Sequence, residues 1–153
     1  MVAAADPRAV EAAVKVLREG GHAVDAAIAA HTVLGLVEPQ SSGIGGGAFM
    51  VVYDRGLDET FVYDGRETAP MTATPDLFMQ DGKPLGYLDA WQSGKSTGVP
   101  SVVALYGAAH AAHGEAAWPS LFGDAIKLAE EGFEVRPRLA GLLANERLRR
   151  FAR

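Results

Sequence analysis

The sequence predicts an α+β chain, with helices gathered around a small antiparallel sheet. Three observations predict it. Apolar residues recur at helical spacing in several segments, each bounded by proline or glycine. Two short segments rich in β-branched and aromatic residues, 49–54 and 60–64, flank a polar turn at 55–59 and read as a hairpin. At 153 residues and 48% hydrophobic content, the chain suits one domain with a sizeable core.

The elements follow in order. Residues 1–5 are a short apolar piece with the composition of a strand. Asp6-Pro7 opens the first helix: aspartate accepts from free N–H groups, and proline suits the first turn. Val10, Ala13, Val14 and Leu17 then mark one buried face, and Gly20-Gly21 stops the helix. A second helix runs over 23–37. It is alanine-rich and apolar nearly all round, so it is expected at the centre of the fold, with Asp25 supporting its start. Pro39 and the glycines Gly43, Gly45, Gly46 and Gly47 lead into the hairpin. Residues 69–86 are loop-rich, with a helical turn near Pro75-Asp76-Leu77-Phe78 and a turn signal at Asp81-Gly82; 85–98 carries no decisive pattern. Pro100-Ser101 opens a helix to about His113, with Val102, Leu105, Tyr106 and Ala109 on one side. Pro119-Ser120 opens another, carrying Leu121, Phe122, Ala125, Leu128 and Ala129 to Gly132. Pro137 opens the last, with Leu139, Leu142 and Leu143 towards a core. The arginines from Arg147 onward suit a helix C-terminus, and the uncapped ending reads as part of something longer.

Composition excludes several classes. A net charge of −5 argues against a nucleic-acid partner. Without cysteine there is no disulfide framework, thiol nucleophile or zinc–cysteine site. The longest weakly polar run, 23–37, is too short to span a bilayer, so no membrane segment is expected. No signal peptide is visible, and the compartment stays unassigned.

Most motif-like stretches have plain readings. Gly43-Ile44-Gly45-Gly46-Gly47-Ala48 superficially fits a dinucleotide fingerprint. That fingerprint follows a strand and opens a helix, and here the order is reversed. Gly94-Lys95-Ser96-Thr97 lacks the earlier glycine of a phosphate loop, Asp89 standing in its place, and reads as an ordinary polar loop. His110 and His113 share a helix face but lack a third ligand; they are expected to face solvent, and no metal site or cofactor is expected. His31 is expected to be a hydrogen-bonded core histidine. Arg66, just past the second strand, is placed to grip a carboxylate with paired hydrogen bonds. Arg66-Glu67 equally fits a solvated surface pair, and spacing alone leaves both readings standing.

Three stretches carry a resemblance to a family. They are Gly20-Gly21-His22-Ala23-Val24-Asp25-Ala26-Ala27, Val37-Glu38-Pro39-Gln40-Ser41-Ser42-Gly43-Ile44-Gly45-Gly46-Gly47, and Arg66-Glu67-Thr68-Ala69-Pro70. Together with Thr97-Gly98-Val99-Pro100 and the segment from Ala125 to Phe133, they resemble the γ-glutamyltransferase (glutathione hydrolase) family, in that family's order and over essentially the whole chain. His22 departs from the family's usual asparagine. The resemblance implies part of an N-terminal-nucleophile hydrolase, a four-layer αββα sandwich made as a precursor that cuts itself before a threonine. That threonine heads a small subunit and attacks a γ-glutamyl amide such as glutathione; water, an amino acid or a peptide resolves the acyl-enzyme. It also implies that residues 1–153 are the front of the large-subunit domain and that no threonine here is the nucleophile. The fragment alone is then inactive. Arg66 binds the donor α-carboxylate and Glu67 supports the pocket. Exported relatives make a periplasmic or secreted location compatible. The alternatives are a related amide acylase, such as a glutaryl-cephalosporin acylase or a poly-γ-glutamate-processing relative, and an inactive truncated product.

Overall fold

The structure is a computed structural model that describes residues 1–145, so the arginine-rich stretch from Arg147 lies outside the described residues. Asp6 opens α1 (Pro7–Arg18) as expected, accepting from the Arg8 amide at 2.9 Å. Arg8 folds back onto the same carboxylate with Nε at 2.8 Å and Nη2 at 2.7 Å, and Arg136 approaches at 3.5 Å. Arg8 Nη1 also donates to the Glu134 carbonyl at 3.1 Å. The fully buried Asp6 therefore ties the start of the chain to residues 134–136, and the Arg8 guanidinium holds its carboxyl below the usual range.

No strand forms at 1–5; Val2 and Ala4 instead pack, half-buried, against the helical core. The buried face of α1 is also rotated from the expected one. It is Ala9, Ala12, Ala13 and Val16, while Val10 and Val14 are half-buried and Leu17 is exposed. Small side chains face the neighbouring helix because they let two backbones approach closely.

That neighbour, α2 (Ala23–Val37), keeps the expected bounds and the expected central place, touching α1 and three later helical segments. Its start is a reciprocal cap. His22 Nδ1 accepts from the Val24 amide at 3.2 Å, and Asp25 Oδ2 accepts from the His22 amide at 2.8 Å. His22 thus has a structural role. Asp25 does more, because Oδ2 also accepts from the Glu115 and Ala116 amides at 2.9 and 3.0 Å. His110 stands 3.5 Å from Oδ1. Burial by itself raises the Asp25 pKa, but the three amides and His110 outweigh it and hold the carboxyl below its usual range.

The hairpin is β1 (Ala48–Asp54) and β2 (Glu59–Gly65), antiparallel, with Ala48 opposite Gly65 and Asp54 opposite Glu59. Met50 pairs Tyr63 and Val52 pairs Phe61 on the face turned to the helices. Phe49, Val51, Tyr53 and Val62 occupy the other face and are 60–67% exposed. A second, minimal hairpin, β3 (Met79–Gln80) and β4 (Lys83–Pro84), turns at Asp81-Gly82, whose φ angles of 52° and 74° suit the expected tight turn. The undecided stretch holds α3 (Tyr87–Gln92) and a 3₁₀ turn, Gly94–Ser96.

Helix α4 (Val102–His113) buries Val102, Leu105, Tyr106 and Ala109, the face the spacing predicts. Tyr106 hydrogen-bonds His31, the expected core contact, and burial pushes the His31 pKa down. His110 and His113 do not face solvent. His110 Nε2 donates to the Ala116 carbonyl at 2.9 Å, and its ring packs on Trp118; His113 lies among His22, Phe61 and Tyr63. A 3₁₀ segment, Trp118–Phe122, leads into α5 (Gly123–Glu131), closed by Gly132 at φ 81°. Leu121 and Ala125 are buried there, and Ala129 is exposed instead of packed. In α6 (Pro137–Leu143), Leu139 is buried, Leu142 is half-buried and Leu143 is exposed.

Asp25 is the natural probe of this arrangement. Its unfolded carboxyl titrates near 3.8 and its folded value is lower, so its stabilisation is present above that pH and is lost as pH falls through the folded value. Asp25→Ala is expected to lower the unfolding free energy by about 3 kcal/mol at neutral pH. Denaturant unfolding as a function of pH checks this: the gap between parent and variant should narrow below pH 3.8, and parallel curves would show that the carboxyl titrates alike in the folded and unfolded states.

Candidate functional site

Three chain segments meet at the open end of the hairpin. The Gly46 carbonyl accepts from the Ser101 and Val102 amides at 3.0 and 3.1 Å, which docks the glycine segment on the start of α4. The Ser101 hydroxyl donates to the Gly65 carbonyl. The Val99 amide donates to the Thr68 carbonyl at 2.9 Å and forms an isolated bridge beyond β2. These contacts leave no space at two glycines. A Cβ at Gly47 would lie 2.7 Å from Glu67 Oε2 and 2.8 Å from its amide nitrogen, and one at Gly98 would lie 2.8 Å from Glu67 Cβ. The glycine segment therefore serves close packing and leads into a strand, the order that argues against a nucleotide fingerprint.

Glu67 is clamped between those two glycines. Its Oε2 is buried and has no hydrogen bond, but Arg66 Nη1 lies 3.2 Å away. The Arg66 amide donates to Asp64 Oδ1 at 2.9 Å, which fixes the backbone from which the guanidinium projects. The structure thus brings Arg66 and Glu67 together, with side-chain exposures of 70% and 28%. Arg66 stands at the mouth of an open cleft of about 300 Å³, whose walls include Glu67, Phe78, Lys95 and Thr97. Among the described residues, its guanidinium has no ion-pair partner besides Glu67 and is 70% exposed, so it keeps N–H donors for a ligand. Such a group is suited to an incoming carboxylate.

Lys95 and Thr97 line the same cleft, although their segment reads in the sequence as an ordinary polar loop. The available signal was Thr97-Gly98-Val99-Pro100, whose glycine is the wall behind Glu67. Among the described residues, no three His, Asp or Glu side chains are grouped to hold a metal ion. No described helix is long and apolar enough to cross a membrane.

The family model described as gamma-glutamyltranspeptidase matches residues 9–153. Scoloptoxin SSD14 of Scolopendra dehaani is 46% identical over 137 residues, covering 90% of this chain and 23% of that protein. The glutathione hydrolase proenzyme of Bacillus subtilis (strain 168) is 41% identical over 155 residues, covering 99% of this chain and 26% of that protein. The gamma-glutamyltranspeptidase from Pseudomonas nitroreducens complexed with L-DON superposes with a TM-score of 0.88 at 31% identity, covering 99% of this chain and 44% of that one. The chain spans about a quarter of the length of these curated relatives.

The clamp predicts the outcome of adding one methyl group. Gly47→Ala is expected to lower stability by about 1–3 kcal/mol, because the new Cβ meets the Gly65 carbonyl and the Glu67 amide of the backbone as well as the Glu67 carboxylate. Gly45→Ala, where a Cβ meets nothing within 4 Å, is expected to be far milder. Thermal unfolding of the two variants side by side checks the contrast.

Proposed function

This chain belongs to the gamma-glutamyltranspeptidase family, and from that premise we propose that it is the front portion of the large subunit of a γ-glutamyl hydrolase or transferase. In this reading the complete protein acts on glutathione and related γ-glutamyl amides. It cuts its own precursor, and a threonine outside residues 1–153 heads the small subunit and attacks the γ-glutamyl carbonyl. Water, an amino acid or a peptide then takes the acyl group. No cofactor is required for acyl transfer of this kind.

The observation that carries the reading is Arg66 at the mouth of the cleft, with Glu67 locked behind it by Gly47 and Gly98. Arg66 holds the donor α-carboxylate through paired N–H donors, and Glu67 fixes the guanidinium from the protein side. Gripping that acid fixes the γ-carbonyl a few bonds away, where the nucleophile must arrive. The exposed hairpin face supports the same view. Four large apolar side chains, Phe49, Val51, Tyr53 and Val62, stand on one side of a two-stranded sheet, as the inner face of a sandwich does before a second sheet covers it.

The test is Arg66→Lys in the full-length protein. An arginine–carboxylate contact is worth about 1.5–3 kcal/mol, so kcat/KM for a γ-glutamyl donor is expected to fall about 10- to 150-fold. Self-cleavage into two chains should continue, as gel analysis would show. Unchanged donor kinetics would remove Arg66 from the site. A glutaryl amide presents its acid at the same distance but lacks the α-amine, and poly-γ-glutamate offers a repeating donor. Preference for either over glutathione would replace this reading with the acylase or polymer-processing one.

A further inference from the structure

The cleft beside Arg66 has a second cation on its wall. Lys95 sits in the 3₁₀ turn Gly94–Ser96 and lines the same space of about 300 Å³. The turn is held by its own contacts: the Ser96 hydroxyl reaches the Trp91 and Ser93 carbonyls at 2.9 and 3.1 Å, and the Thr97 amide donates to the Gly94 carbonyl at 3.3 Å. Ser96 is thus engaged in fixing the backbone, and Lys95 is the charged residue of this turn among those that line the cleft.

That charge is not neutralised in place. Lys15 and Lys127 each lie within 4.0 Å of a carboxylate, at 3.0 and 4.0 Å. Lys95 forms no ion pair with any described residue, although Asp76 lies within its field. Glu67 lies against Arg66 with Oε2 buried, so it balances that cation. In a chain of net charge −5, this cleft carries a local positive excess.

Two cations on one small cleft suit a ligand with an acid group at each end. A γ-glutamyl amide of an amino acid or peptide has that form: one carboxylate on the γ-glutamyl side, another on the amine that leaves or accepts. We propose that Lys95 binds the carboxylate of the amine side and so favours donors whose leaving group is an amino acid or peptide. The inference rests on the reading that Arg66 holds the other acid. The volume, near the lower end for small-ligand sites, matches a ligand of di- or tripeptide size.

The experiment uses two donors that differ in one group, L-γ-glutamyl anilide and L-γ-glutamyl-4-carboxyanilide, with the full-length protein. The quantity read is the ratio of kcat/KM for the carboxylated donor to that for the neutral one. Lys95→Ala is expected to lower the ratio about tenfold, and Lys95→Arg to keep most of it. Lys95→Gln, close in size, guards against a packing effect and should lower it as Ala does. An unchanged ratio in both Ala and Gln variants overturns the inference. Arg66→Lys, run beside them, should lower both donors alike and leave the ratio in place. Loss on neither donor would instead remove the Arg66 reading, and this one with it, a failure distinct from an unchanged ratio at Lys95.

Discussion

At Gly47 the main chain passes so near residues 65 and 67 that no side chain fits, and the candidate site depends on that approach. Bringing backbones this close satisfies their polar groups together. Gly46 accepts from the two amides that begin α4, and Ser101 reaches Gly65 across the same gap. Helix α4 is thereby started at a defined place, and Val102, Leu105, Tyr106 and Ala109 follow into the core against α2. The position of Arg66 is then a property of the whole helical pack, because the strand end that carries it is bonded to the helix that fills the interior.

Buried acids do a different job elsewhere. Asp6 is neutralised by Arg8, Asp25 by three amides with His110 nearby, and Glu38 by Arg138 at 3.1 Å and by Gln40. Each sits where segments distant in sequence must meet, and each has donors that offset the cost of burial. Glu67 differs. Like Asp25 Oδ1, its Oε2 is buried without a hydrogen bond, but its counter-charge is a guanidinium that is itself mostly exposed. A carboxylate held this way keeps an arginine oriented without consuming all of its donors, which suits a binding group better than a structural tie.

Much of the fold was legible from local chemistry. Asp6-Pro7, Gly20-Gly21 and Pro100-Ser101 mark helix ends through capping and backbone limits, and those are local effects. The β-branched and aromatic content of 49–54 and 60–64 likewise marks the two strands of the hairpin. Misreadings came where partners lie far along the chain. The α1 spacing points to Val10, Ala13, Val14 and Leu17, yet of these only Ala13 is buried, beside Ala9, Ala12 and Val16, because α2 comes close. His110 and His113 read as solvent-facing because nothing nearby in sequence announces Asp25, Trp118 or the hairpin aromatics. That Lys95 shares a cleft with Arg66 is hidden for the same reason, since the two stand some thirty positions apart. Arg66 stands out by its place at a strand end, while the clamp behind Glu67 joins Gly47 and Gly98, which no local pattern links.

The exposure of Arg66 bears on how a site of this kind must work. An ion pair in open water contributes at most about 1 kcal/mol, because solvent screens it and the side chain must be ordered. At 70% exposure, the guanidinium in these 145 residues is in that regime. The hairpin presents an uncovered apolar face, and the chain matches only about a quarter of its curated relatives' length. On the proposed reading, the protein that covers that face also excludes water from the cleft mouth. The same Arg66 contact then strengthens without moving, since the effective dielectric around it falls. Donor affinity and completion of the sandwich are on this account one event, and the front of the chain supplies an oriented cation whose strength is set by what packs over it.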